Sequence, residues 1–173
     1  MWRRRPWLLG ALLLVLAAPA ARAQVPTPTP DEVLLTVTLA DGRTQTFSRA
    51  ALEALPAEQA SARLRDGAPF SVPGVSVTAL LKACGLDLSQ RLGAGNVVGH
   101  ALVARSADGY RAVFGLAEVD PHFGHAPVML NWKNADGTPL PARVGPLQLI
   151  ATGENRPGRW VRQLVALEVK SLP

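Results

Sequence analysis

Hydrophobic and polar residues alternate in short runs along this chain, and most of the runs end at a glycine turn. Residues 33–39 and 43–47 alternate on either side of Asp41-Gly42. This is the pattern of a β-hairpin, because an Asp-Gly pair tolerates the positive φ angle of a tight turn. Asp-Gly recurs at 66–67, 108–109 and 136–137. The pattern therefore predicts many short strands joined by tight turns.

Helical spacing is confined to a few short segments. Val77, Leu80, Leu81 and Cys84 fall at i, i+3, i+4 and i+7, and Gly85 follows at the position of a C-terminal cap. Two more helical segments are predicted, at 48–55 and 116–119. Because strands and helices do not alternate regularly, the predicted class is α+β, with mixed or antiparallel sheets of short strands and two or three short helices.

The clearest pair of core strands lies near the end of the chain, where residues 144–151 and 158–169 flank the polar loop 152–157. The loop and the second strand carry three arginines, Arg156, Arg159 and Arg162. Three guanidinium groups beside flexible backbone suit an anionic group such as phosphate. The alternative is that they form the solvated face of a surface strand, where most charged side chains lie.

The first 23 residues have the pattern of an export signal. Three arginines, Arg3 to Arg5, precede an apolar run at 8–18, and Ala21-Arg22-Ala23 is a small-x-small cleavage site. The apolar run is short for a membrane span, and no second run of that length follows. We therefore expect a signal peptide at 1–23, a proline- and threonine-rich leader at 24–31 and one domain at 32–173. The protein is expected to be soluble and periplasmic or secreted, by either the general or the twin-arginine route.

Removal of the signal changes the charge of the protein. The first 23 residues hold four of the 18 lysines and arginines and none of the 13 acidic residues, which leaves 14 cations against 13 carboxylates. Nucleic-acid binding requires a clustered basic surface, and a nearly neutral domain gives no general case for it. The basic residues that remain clustered are the C-terminal arginines.

Cysteine and histidine offer few candidate ligands. Cys84 is the one cysteine, so no internal disulfide is possible, and its helical spacing predicts a buried thiol. A metal ligand or a nucleophile would instead require a thiolate in a polar setting. His122 and His125 lie three residues apart beside Asp120, but zinc requires three or four ligands, so ordinary loop histidines are the favoured interpretation.

Three short motifs follow each other along the chain. Pro73-Gly74-Val75 precedes the Leu-Leu helix, Asp108-Gly109-Tyr110 follows a predicted strand, and Gly145-Pro146-Leu147 precedes Arg159-Trp160-Val161-Arg162. In this order they resemble the molybdopterin-binding domain of sulfite-oxidase-type oxidoreductases. The resemblance covers most of the mature chain, best at 72–169, and implies the fold of that domain. It also implies molybdopterin as a possible cofactor, with Arg159 and Arg162 at phosphate-contacting positions.

Two departures from the family pattern bear on its chemistry. The family's enzymes bind molybdenum through a cysteine upstream of the Gly-Val motif, and no cysteine precedes Gly74 here. Gln148 also replaces the basic residue that commonly follows the Gly-Pro pair. Because soft sulfur suits a redox metal and other side chains do not reproduce it, the absence of this ligand argues against the redox reaction.

These observations leave three hypotheses. The first is an exported, non-catalytic binding or interaction module, without a metal or a tightly bound cofactor, that takes an anionic small molecule or a pterin. The second is a molybdopterin-dependent oxidoreductase with an atypical metal ligand set, and the third is a metal carrier that uses His122 and His125. No serine-histidine-acid set, phosphate-binding glycine loop or telling carboxylate pair supports another enzyme class.

Overall fold

The computed structural model describes residues 31–88, 97–123 and 126–173. The predicted signal peptide, almost all of the leader, and His125 lie outside the described residues. Within the described part of the chain, no helix is long and apolar enough to cross a membrane.

Most of the described chain forms short strands that belong to two sheets. In chain order the strands are β1 (Val33–Thr38), β2 (Thr44–Ser48), β3 (Glu58–Ala62), β4 (Phe70–Ser76), β5 (His100–Ser106), β6 (Arg111–Gly115), β7 (Val128–Asn131), β8 (Gln148–Ala151) and β9 (Leu164–Ser171). The predicted turns at 41–42, 66–67 and 108–109 join neighbouring strands, as the sequence pattern indicated. The apolar runs at 96–105 and 127–132 also predict strands. The second run contains β7, whereas the first prediction is wrong before His100, because Val97 and Val98 are helical; Asn96 lies outside the described residues.

The first sheet has five strands in the order β2-β1-β9-β5-β6. β1 and β9 are parallel, with Thr36 opposite Ala166, and every other neighbouring pair is antiparallel. The second sheet has four antiparallel strands in the order β3-β4-β7-β8. Together with the short helices, these sheets confirm the predicted α+β class with mixed sheets.

Two short α-helices begin at serine caps. In α1 (Arg49–Glu53) the Ser48 hydroxyl accepts a hydrogen bond from the Ala51 N–H, and in α2 (Val77–Ala83) Ser76 does the same for Ala79. This supplies a partner for an amide that would otherwise have none at the helix start. The described residues also include three 3-10 turns, at Leu116–Val119, Pro121–Phe123 and Pro157–Arg159, and Val97 and Val98 are helical.

The four-stranded sheet separates two hydrophobic clusters of different size. Its inner face, which includes Leu130 and Leu149, packs into the main core between the two sheets. Its outer face carries a smaller cluster of four buried residues, Ala62, Val72, Met129 and Ile150, which Trp160 partly covers. Because successive side chains of a strand point to opposite faces, β7 and β8 contribute alternate residues to the two clusters.

Gly74 is required by the close approach of β4 to β7. A Cβ atom at this position would lie 1.9 Å from the Leu130 carbonyl oxygen and 3.1 Å from the Asn131 Cα. Any side chain would therefore force the two strands apart. The Pro73-Gly74-Val75 motif thus has a packing role at the middle of the sheet.

The predicted strand at 158–169 is wrong in its first part. Pro157–Arg159 is a 3-10 turn, Val161 forms an isolated bridge with Leu149, and β9 begins only at Leu164. Proline favours the first position of a helical turn, and Gln163 has a φ of 46°, which interrupts the extended backbone. Arg159 consequently lies on a turn and does not belong to a strand.

Candidate functional site

The candidate site is a row of polar side chains at one end of the outer face of the four-stranded sheet. Asn131 of β7 pairs with Gln148 of β8. Their sequence neighbours Leu130 and Leu149 lie on the inner face, so both amides lie on the outer face. They are buried, with 5% and 9% of their surface exposed. We call this pair, with Arg162 beside it, the amide row. Buried amides on a sheet face are expected to have hydrogen-bond partners.

Asn131 has a buried hydrogen-bond acceptor that is not used. Its side-chain N–H donates to the Lys133 carbonyl at 3.1 Å, but its Oδ1 has no partner and no solvent contact. An unsatisfied buried carbonyl costs about 1–3 kcal/mol in folding free energy. Such a group calls for a functional explanation, because buried polar groups are almost always paired.

Arg162 approaches the row through a bulge in the backbone. Leu149 and Val161 exchange two backbone hydrogen bonds, of 2.8 and 2.9 Å, and the next bond runs from Leu164 N–H to the Leu147 carbonyl. This spacing sets Arg162 and Gln163 together opposite Gln148, which is the arrangement of a β-bulge. Val161 points into the main core, so Arg162 points to the outer face, where its side chain is exposed.

Arg159 is held by acidic side chains. Its guanidinium group lies 2.6 Å from a Glu118 carboxylate oxygen and 2.5 Å from Glu154, and it is stacked 4.5 Å from the centre of the Phe114 ring. It also donates to the Val113 carbonyl at 3.2 Å. These contacts fasten the 3-10 turn to β6, so most donors of Arg159 already have partners.

Arg156 lies on the loop that precedes this turn and belongs to another neighbourhood. The Asn155 carbonyl accepts a hydrogen bond of 2.9 Å from the Arg65 N–H, on the loop between β3 and β4. The three predicted arginines therefore lie in different surroundings: Arg159 is paired with Glu118 and Glu154, Arg162 lies opposite the start of β8, and Arg156 follows a residue that is bonded to the β3–β4 loop. A single anion site shared by all three stays a prediction.

Cys84 lies on the opposite side of the four-stranded sheet from the amide row. It follows α2 as its C-terminal cap, belongs to the main core and has 9% of its surface exposed. Burial raises the pKa of its thiol, although the charge of Arg43 opposes the shift. The predicted buried thiol agrees with this position. The only cysteine thiol of this chain therefore does not face the amide row.

The histidine pair is only partly described. The His122 ring nitrogen Nδ1 lies 2.9 Å from an oxygen of the buried Asp120, which also accepts the His122 backbone N–H. Within the described residues, no group of three or more histidine, cysteine or acidic side chains is arranged to hold a metal ion. The contact with Asp120 gives His122 a structural role at the start of a 3-10 turn.

Two members of the amide row escaped the sequence interpretation. Gln148 was noted only as a replacement for a basic residue, and Asn131 was not noted at all. The available signal was an asparagine at the end of the apolar run Val128–Asn131, where a hydrophobic residue is expected. The functional interest of Asn131 depends on Gln148, its neighbour on the adjacent strand. Only the strand pairing shows that the two residues are neighbours.

Comparison with known proteins supports the fold. No protein-family model and no curated protein matches this chain. Among solved structures, the crystal structure of the sulfane dehydrogenase SoxCD from Paracoccus pantotrophus is similar, with a TM-score of 0.59 and 17% identity. The match covers 84% of this chain but only 40% of the SoxCD chain. At this identity the similarity shows the fold alone: the chain has an α+β fold of the kind seen in this sulfite-oxidase-like neighbour.

Proposed function

We propose that this protein is an exported, non-catalytic binding module that takes a small anionic ligand of the pterin-phosphate class on the outer face of its four-stranded sheet. The observation that carries the proposal is the unpartnered Asn131 carbonyl beside Gln148 and Arg162. If nothing bound there, this buried acceptor would destabilise the fold without any functional benefit.

The chemistry of the amide row fits a heterocycle with an attached anion. An asparagine carbonyl accepts from a ring N–H, and a glutamine amide can donate to one ring atom and accept from the next. Adjacent strands are about 4.8 Å apart, so the row from Asn131 to Arg162 extends roughly 10 Å. The Asn131 Oδ1 is fully covered in this structure, so binding requires the side chains over the row to move aside. A ligand of that length would then present its hydrogen-bonding edge to the amides and its anion to the guanidinium group of Arg162.

The residues of the amide row do not fit the metal of a molybdenum cofactor. The amide row offers oxygen and nitrogen atoms, and the only thiol, Cys84, lies in the main core behind the sheet. In the sulfite-oxidase-type enzymes that this chain resembles, molybdenum is bound through a cysteine thiolate, a soft ligand that other side chains do not reproduce. Binding without catalysis is therefore the favoured function.

A molybdopterin-dependent oxidoreductase is the second candidate function, and the observation that favours it is the structural similarity to a sulfane dehydrogenase. The two candidates differ in metal content. Protein purified from the cell that exports it should contain no stoichiometric molybdenum under our proposal. About one molybdenum atom per chain, with a pterin released on denaturation, would favour the enzyme.

Titration calorimetry with neopterin monophosphate, neopterin and inorganic phosphate tests the binding proposal. The order of affinity should be neopterin monophosphate, then neopterin, then phosphate. Arg162→Ala should lower the affinity for the monophosphate about tenfold or more, because a charge-assisted hydrogen bond contributes about 1.5–3 kcal/mol, and should leave neopterin unaffected. Asn131→Leu should weaken both pterins.

Arg111→Ala is the matched control, because Arg111 is an exposed arginine on β6 of the other sheet. It should change none of the three affinities. Equal responses of Arg162→Ala and Arg111→Ala would mean that Arg162 belongs to the solvated surface. A wild-type protein that binds none of the three compounds would contradict the proposal.

A further inference from the structure

A second candidate surface lies at the free edge of the four-stranded sheet. Among the described residues, β3 is paired only with β4, so one edge of its backbone has no strand beside it. Three of its five residues are exposed, and the strand carries no proline. An unpaired edge of this kind presents N–H and C=O groups that can pair with an added strand.

The chain leaves β3 directly into a pair of arginines. Arg63 and Arg65 are exposed and flank Leu64, whose side chain is 39% exposed. The Arg65 N–H donates a hydrogen bond to the Asn155 carbonyl, so the loop after β8 contacts the β3–β4 loop. Arg156 lies next to this contact. The three arginines therefore lie on two loops that meet near the end of β3.

These three arginines have no acidic partner among the described residues, in contrast to Arg159. Glu154, the acid closest in sequence to Arg156, is already bound by Arg159. Asp66 is the other acid in the two loops, so this surface carries a net positive charge. Exposed cations without counter-charges attract an anionic partner and favour its approach.

The apolar part of this surface is small. Phe70 is 39% exposed and packs edge-to-face on Trp160, with 5.8 Å between the ring centres. Phe70 and Leu64 are the two partly exposed apolar side chains of this surface. Their exposed area is small compared with the roughly 800 Å² that each partner buries in a standard protein interface. Backbone pairing along β3 needs no large apolar area, because hydrogen bonds to the edge supply the contact.

We propose that the free edge of β3, with Arg63, Arg65 and Arg156, binds an extended acidic segment of a partner protein as an added strand. Carboxylates at one end of the segment would meet the arginines, since guanidinium groups match carboxylates with two parallel hydrogen bonds. The interaction is weak and salt-dependent, because the charges are exposed. It is independent of the amide row, none of whose residues it uses.

A labelled probe peptide tests the proposal by fluorescence anisotropy on the full chain at low salt. The probe has about nine residues, with glutamates in its first half and alternating valine and threonine in its second half, to suit strand addition. It should bind, and affinity should fall as salt rises. Arg63→Ala, Arg65→Ala and Arg156→Ala should each lower the affinity about two- to fivefold, as expected for exposed ion pairs.

Controls separate strand addition from simple charge attraction. Arg111→Ala, which removes an equally exposed arginine from the other sheet, should leave the affinity unchanged. The same probe with N-methyl groups on alternate residues should lose binding, because N-methylation removes the donors that pair with β3. Full binding of the N-methylated probe, or equal losses in Arg65→Ala and Arg111→Ala, would overturn the proposal.

Two other probes address the remaining anionic partners. Tripolyphosphate and vesicles of anionic phospholipid should displace the peptide only by screening its charge. Each should therefore displace no more peptide than sodium sulfate does at equal ionic strength. If either displaces the peptide far more effectively than sulfate, and the three arginine variants abolish that effect, the surface is a phosphate site and the acidic-peptide proposal is wrong.

Discussion

The two faces of the four-stranded sheet are made by the same strands but serve different needs. On the inner face, Leu130 and Leu149 are fully buried among apolar neighbours. On the outer face, their sequence neighbours Asn131 and Gln148 are also buried, yet Asn131 leaves a carbonyl without a partner. The inner face is expected to stabilise the fold, whereas the amide-row end of the outer face carries an energetic cost that binding would offset.

The difference shows that burial alone does not measure a contribution to stability. A buried leucine gains free energy from leaving water, and a buried amide loses it unless its hydrogen bonds are replaced. Substitutions at neighbouring residues of one strand should therefore have opposite effects. The largest effect is expected at Gly74, whose lack of a side chain allows the two central strands, β4 and β7, to approach closely.

Gly74→Ala is expected to have the largest effect, a loss of about 4 kcal/mol or more in the free energy of unfolding. Its Cβ would overlap the Leu130 carbonyl oxygen at 1.9 Å, and backbone atoms cannot move aside as a flexible side chain can. Gly158→Ala is the matched control, because a Cβ there would meet nothing within 4 Å. Urea denaturation of both variants measures the difference, and equal midpoints would contradict the close approach of β4 and β7.

Leu130→Ala should lower the free energy of unfolding by about 2–5 kcal/mol, because it leaves a cavity in the main core. Leu130 has none of its surface exposed and packs on the inner face. The measurement is a urea or thermal unfolding curve followed by circular dichroism. A loss below about 1 kcal/mol would show that the inner face is less tightly packed than its burial indicates.

Cys84→Ser should cost about 1–3 kcal/mol, because it buries a hydroxyl group in the main core. In the native protein the thiol should react with a thiol reagent much more slowly than in denaturant. Labelling at the same rate in both states would place the thiol outside the core.

The raised pKa of Cys84 also predicts a dependence of stability on pH. The buried thiol favours its neutral form, so its contribution is fully present below the ordinary thiol value of 9.0 and is lost as pH rises through the higher folded value. The free energy of unfolding should therefore fall in alkaline solution. Cys84→Ala should remove this part of the pH dependence, and an unchanged alkaline profile would contradict it.

Asn131→Leu should have the smallest effect on stability and the opposite sign, from no change to a gain of about 1 kcal/mol. The substitution removes the unpartnered carbonyl and gives up one hydrogen bond to the Lys133 carbonyl. Chemical denaturation at constant m-value measures it. A loss comparable to that of Leu130→Ala would mean that the outer face stabilises the fold as the inner face does.

Local structure was largely predictable from this sequence, whereas lateral relations between strands were not. The hairpin at Asp41-Gly42, the helix within 48–55 and the helix before Gly85 are confirmed, since each depends on neighbouring residues. The break before β9 was missed because alternation at Trp160 and Arg162 imitates a strand. The pairing of Asn131 with Gln148 joins residues far apart in sequence, and no local pattern reports such a register.

The arginines illustrate the same limit. Sequence proximity suggested that Arg156, Arg159 and Arg162 act together, but Arg159 finds its partners at Glu118 and Glu154. Glu118 is contributed by a distant 3-10 turn, and its approach depends on how the loop folds onto β6. Which of several neighbouring cations is free for a ligand is thus decided by acidic residues elsewhere in the chain.

The position of β9 has a consequence for biosynthesis. β9 is the central strand of the five-stranded sheet and joins β1 to β5, with Thr36 opposite Ala166. A nascent chain that has not yet reached Leu164 therefore holds two separate hairpins without the strand between them. Contacts between residues so distant in sequence form late and slowly. We expect the five-stranded sheet to form only after β9 has been synthesised, because the two hairpins are joined through it.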